Sequence, residues 1–98
     1  MLTSNIFQNM EEHQELSRSH ADLSSLQASN KALLQTLRQD LLYIAGDPGQ
    51  YESKQDEIAL FEASYAQNQA VLKELEVALK TNEERREYLK SLLIRPYL

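Results

Sequence analysis

Ala45-Gly46-Asp47-Pro48-Gly49-Gln50-Tyr51 holds both glycines and one of the two prolines of the 98-residue chain. Each residue of it has a use at a break between helices. Gly46 suits the left-handed position that closes a helix. Asp47 suits an N-cap, where a carboxylate accepts from a free N–H of the next turn, and Pro48 suits the first helical position. Gln50 follows Asp47 by three, as in a capping box. The stretch predicts a helix over about 5–45, a turn over about 46–49 and a helix over about 48–94. Pro96 would stop the second arm by Ile94 or Arg95, since the residue before a proline disfavours helix.

The break lies near the chain midpoint, and each arm carries a seven-residue apolar repeat. In the first arm Leu16, Leu23, Asn30, Leu37 and Ile44 recur every seven, with Leu26 and Leu33 three places after Leu23 and Asn30. In the second, Tyr51, Ile58, Tyr65, Leu72 and Leu79 recur, with Phe61, Asn68, Leu75, Asn82 and Leu89 three on. Two such rows form the seam of a coiled coil. Folding the chain about residue 49 sets Leu37 on Phe61, Leu33 on Tyr65, Leu26 on Leu72 and Leu23 on Leu75. The same fold brings the polar intruders Asn30 and Asn68 together as a pair that fixes register. The expected fold is all-α: one domain over 1–98, an antiparallel two-helix coiled-coil hairpin that completes a bundle with another chain. Thr81-Asn82-Glu83-Glu84 leaves open a kink or a short third helix near residue 82. The absence of glycine and proline there favours continuity.

Composition excludes several functions. Two glycines cannot build a phosphate-binding loop, and no cysteine means no disulfide framework or thiolate metal site. A net charge of −5 argues against nucleic acid, which calls for clustered positive charge. Arg85, Arg86, Lys90 and Arg95 are locally basic, but the hairpin would set Glu11, Glu12 and Glu15 opposite them. His13 and His20 lie seven apart rather than the three or four usual for helical zinc ligands, and are expected at the surface or edge. No nucleophile-base order or paired carboxylate stands out. The expectation is therefore no enzyme, no metal, no cofactor and no small-molecule substrate. The opening residues have no basic stretch and no long apolar core, so a secretory leader is not expected there. The longest apolar run, Leu41–Ala45, is far short of the ~20 residues that span a membrane. A cytoplasmic protein is expected.

What remains is an apolar surplus. Leu34, Leu41, Leu42 and Tyr43 in the first arm, and Tyr51, Leu60, Val71 and Leu92 in the second, lie off the seam or beside the turn. Exposed patches of this kind mark interfaces. These eight residues are the expected partner-binding set, facing another protein or a second copy. Gly46, Asp47, Pro48 and Gly49 form the hinge.

Asp47-Pro48-Gly49-Gln50-Tyr51, followed by an amphipathic helix through Leu75, resembles the opening of the second helix in the YscE-like co-chaperones of type III secretion needles. The resemblance is carried by Asp47, Pro48, Gln50 and Tyr51. It implies a helical hairpin that partners a tetratricopeptide-like chaperone and keeps needle subunits unpolymerised. Tyr51-Glu52-Ser53-Lys54-Gln55 is similar to the opening of the middle helix of tubulin-binding cofactor A, which implies a three-helix chaperone. The functional expectation is a small chaperone or assembly factor. The alternative is a structural coiled-coil subunit that associates with itself.

Overall fold

The computed structural model describes residues 1–94 and contains two helices, α1 (Leu2–Tyr43) and α2 (Pro48–Ile94). No strand occurs among the described residues. α1 starts earlier than the sequence suggests, because the Asn5 N–H already donates to the Met1 carbonyl at 3.0 Å. α2 is continuous past Asn82, so no third helix begins at Thr81. Arg95 and Pro96 lie outside the described residues.

The turn departs from the expected form at one point. Gly46 does not have a positive φ. The Asp47 N–H instead bonds the Ile44 carbonyl three residues back at 3.0 Å, so the chain leaves α1 through a tight turn of ordinary handedness. A left-handed glycine is one way to satisfy the last helical carbonyls, and this turn is another. Asp47 caps α2: its Oδ1 accepts from the Gln50 N–H at 3.2 Å. Its backbone carbonyl accepts from the Tyr51 N–H at 2.9 Å, the first bond of the helix.

Contacts divide the chain into two compact units. One is Leu23–Val71, which contains the turn, and the other joins Met1–Asp22 to the chain from Leu72 onward. In each unit a stretch of α1 runs antiparallel to a stretch of α2, which makes the chain an all-α helical hairpin.

Burial shows which rows face inward. On α2 they are Tyr51, Ile58, Tyr65, Leu72, Leu79 and Arg86, with Lys54, Phe61, Asn68, Leu75, Asn82 and Leu89. These are the expected rows, extended by one basic residue each. On α1 one row is as expected: Asn9, Leu16, Leu23, Asn30, Leu37 and Ile44. The other is Ile6, His13, His20, Gln27, Leu34 and Leu41, four residues after the first row rather than three. Leu26 and Leu33, expected in the seam, are 50% and 41% exposed, while Leu34 is 4% exposed. Leu34 is thus a core residue and Leu41 packs against that core, so neither stands exposed as the expected partner-binding set supposes. The row three places on continues through Glu12, Ser19 and Asp40, and burying its carboxylates would be costly. The row four places on holds no residue that must carry a charge.

In the Leu23–Val71 unit Leu34, Leu37 and Ile58 form the buried core, and Leu41, Phe61 and Tyr65 pack on it. Leu37 and Phe61 share this cluster, and Leu34 takes the place expected of Leu33 beside Tyr65. Asn30 and Asn68 are joined through a third side chain. Each donates Nδ2 to Gln27 Oε1, at 3.4 and 3.2 Å. Gln27 Nε2 donates to the Tyr65 carbonyl at 3.0 Å and to Gln69 Oε1 at 3.2 Å. The register device is centred on Gln27, which is buried, rather than on a direct asparagine pair.

In the other unit Asn9 and Asn82 are buried together with Leu89. Each asparagine donates Nδ2 to the other's backbone carbonyl at 3.0 Å. Their Oδ1 atoms and His13 Nδ1 have no partner. His20 Nε2 lies 3.3 Å from Glu76 Oε1. Both histidines occupy the inward row and are half-buried, which places them at the edge of the seam, one of the two positions expected. Of the acidic and basic ends expected to face each other, Glu12 and Arg85 line the same grooves, but no direct ion pair joins the two ends among the described residues. Arg85 instead lies over the Tyr88 ring, 5.5 Å from its centre, and Lys90 pairs with Glu87 at 3.7 Å.

Candidate interaction face

In the Leu23–Val71 unit the two sides of the seam differ in chemistry. One side carries Lys31, Gln35, Arg38 and Glu62, which line a shallow groove together with Leu34 and Tyr65. Arg38 crosses to Glu62 at 3.0 Å and bridges it. The opposite side is reached from the turn, where Asp40, Tyr43, Ile44, Gln50, Ser53, Lys54 and Glu57 line a cleft of about 500 Å³. Stepping along both helices from that cleft in helical periods of three and four keeps to this side. It meets Thr36, Leu33, Ser29 and Leu26 on α1, then Leu60, Ser64, Gln67 and Val71 on α2. None of these eight residues is charged.

Four of them are large and apolar, and all four reach solvent: Leu60 is 74% exposed, with Leu26, Leu33 and Val71 less so. Tyr43 adds an aromatic ring, 87% exposed, at the turn end. Of the eight residues expected to bind a partner, Tyr43, Leu60 and Val71 lie on this face. Leu42 is exposed but projects from the charged side. Tyr51 is half-buried in the inward row, and Leu92 is half-buried in the other unit. Leu26 and Leu33 belong to the face but were counted in the seam. The signal for them was available in their own row, because Glu12 and Asp40 stand in it at seven-residue spacing.

Other chemistry is not assembled. Among the described residues no group of three histidine, cysteine or acidic side chains could hold a metal ion. No helix among them is long and apolar enough to cross a membrane. The clefts described here are open grooves of 180 to 500 Å³, most of them between the two helices and one along α1 alone at Gln8, Glu11, Glu12 and Glu15. No protein-family model, curated protein or solved structure matches the chain.

Proposed function

We propose that this chain is a non-enzymatic protein-interaction module, a small helical chaperone or assembly factor of the cytoplasm. One observation carries the reading: four large apolar side chains stand in solvent on one charge-free face, although the same unit owns a closed apolar core. A hairpin that needed only its own stability would place polar residues there, as its opposite side does at Lys31, Gln35, Arg38 and Glu62, with Leu42 the one exposed apolar residue placed on that side. Leaving a large side chain wet forgoes roughly 1.5–3 kcal/mol of burial. A partner that covers the face recovers that energy, which is how apolar surfaces of a client are shielded from premature assembly. The likeness at Asp47, Pro48, Gln50 and Tyr51 makes a type III secretion needle subunit the first client to try.

Photo-crosslinking tests this. A photoreactive residue at position 33 or 60 should give a discrete cross-linked species in the source cell, and one at Gln39, outside the face, should not. Leu33→Glu with Leu60→Glu should leave the helical circular dichroism intact and remove the species made from position 26. Equal cross-linking from all positions would refute the face. A species of twice the chain mass would instead make the molecule a self-associating structural subunit.

A further inference from the structure

The turn cleft adds a requirement on whatever covers the face, and it rests on the interaction-module reading. Two carboxylates line the cleft, Asp40 and Glu57. Lys54 Nζ answers Glu57 at 3.4 Å. Asp40 has no basic side chain within ion-pair distance among the described residues. Beside it stands the exposed ring of Tyr43. A carboxylate next to an open aromatic face is a seat for a cation, which gains both a charge-assisted hydrogen bond and a cation–π contact. Leu33 follows one heptad from Asp40 and Leu26 another, each step about 10 Å along the helix. A continuous track therefore leads from an acidic seat to an apolar strip.

We propose that the face takes an amphipathic helix from a different protein, whose apolar stripe ends in a lysine or arginine seated between Asp40 and Tyr43. Charge complementarity selects this occupant over a second copy. Beyond the cleft the face of this unit carries no lysine or arginine, and Lys54, the one base in the cleft, is held by Glu57 at 3.4 Å, so a second copy laid face to face offers Asp40 no unpaired base from it. The whole chain, at −5, also favours a basic partner. Spacing sets the partner's pattern: a base at one position, then apolar residues seven and fourteen places away, with others three or four between.

Two synthetic helical peptides test the proposal against the full chain by fluorescence anisotropy. Both carry the same leucine stripe with neutral flanks; one ends in two arginines and the other in two glutamates. The basic-ended peptide should bind about tenfold tighter, a preference that shrinks in high salt and in Asp40→Asn. Leu33→Glu with Leu60→Glu should abolish binding of both. Equal affinities, both lost in the leucine variant, would overturn the cation seat and leave the face standing. Binding of neither peptide would overturn both readings. A chain whose mass by light scattering is a dimer, and falls to monomer with Leu33→Glu, would make a second copy the occupant and overturn the proposal. Circular dichroism of Asp40→Asn, an exposed residue, checks that the fold is unchanged.

Discussion

The two units solve the same packing problem with different materials. Leu23–Val71 closes its seam with Leu34, Leu37 and Ile58, and its buried polar residue, Gln27, sits at the centre of one network. The unit formed by Met1–Asp22 and the chain from Leu72 buries Asn9, Asn82 and Leu89, and sets two histidines in its inward row. In the first, every polar atom of Gln27 has a partner. In the second, both buried asparagines satisfy their donors and leave their acceptors bare. Apolar contact holds the first unit together. In the second, two reciprocal bonds to backbone fix which residue faces which. A polar pair of that kind specifies register at a cost in stability. Both units expose large apolar residues, the second at Phe7, Met10, Val77 and Tyr88, but in the first Leu26, Leu33, Leu60 and Val71 share one face above a closed apolar core, and the partner proposed above would dock on that support.

The contrast breaks most readily at its core. Leu34→Ala should cost about 2–5 kcal/mol in denaturant unfolding, as should Leu37→Ala. Leu33→Ala, one residue from Leu34 but turned to solvent, should change stability by no more than about 0.5 kcal/mol. Equal losses at 33 and 34 would mean that the inward row had been assigned to the wrong side of α1.

The polar clusters give the next largest effects. Gln27→Leu removes the shared acceptor of Asn30 and Asn68 and should cost about 1–3 kcal/mol, because two amides then lose their partner. Replacing Gln27, Asn30 and Asn68 together by leucine should restore or exceed the original stability, at the expense of a unique register. In the other unit, Asn9→Leu and Asn82→Leu should be coupled: the double variant should be less destabilised than the two single losses added together. A double-mutant cycle that closes to zero would show that the reciprocal bonds do not act as one device.

These residues also show what could be read in advance. Both inward rows of α2 were legible because one is apolar or aromatic almost throughout and the other keeps Phe61, Leu75 and Leu89 around its two asparagines. On α1 one row was legible and its companion was not. Three of the companion's six residues are His13, His20 and Gln27, so apolarity pointed to the neighbouring row with Leu26 and Leu33. Electrostatics pointed the other way, since that row places Glu12 and Asp40 in the seam. A row is chosen by the burial cost of its worst member as well as by the gain from its best. The exposed apolar face went partly unseen for the same reason: once Leu26 and Leu33 were placed inside, only Tyr43, Leu60 and Val71 remained to mark it. The helix break itself was legible, down to the Asp47 cap. Asp47→Ala should cost about 1 kcal/mol, measured by the urea midpoint.

The smallest effect tests the turn. Glycine beyond a helix end is expected where a positive φ is needed, and there any other residue is strained. Gly46 has no such angle, and a methyl group built on its Cα would meet nothing within 4 Å. The Ile44 to Asp47 hydrogen bond holds the turn without help from a left-handed residue. Gly46→Ala should therefore be stabilising by about 0.4–1 kcal/mol, because alanine restricts the unfolded chain and is not penalised in the folded one. A Schellman-type closure predicts the opposite sign, a loss of comparable or larger size. Thermal unfolding of Gly46→Ala separates the two turns by the direction of the shift in Tm alone. The second glycine supplies the control. Gly49 lies inside α2, and its added Cβ would come no closer than 3.6 Å to Asp47 Oδ1, an ordinary contact. Gly49→Ala should thus raise stability through helix propensity, by no more than about 1 kcal/mol. If Gly49→Ala stabilises and Gly46→Ala destabilises, the chain leaves α1 through a left-handed residue after all, and the hinge has the form that its glycine first suggests.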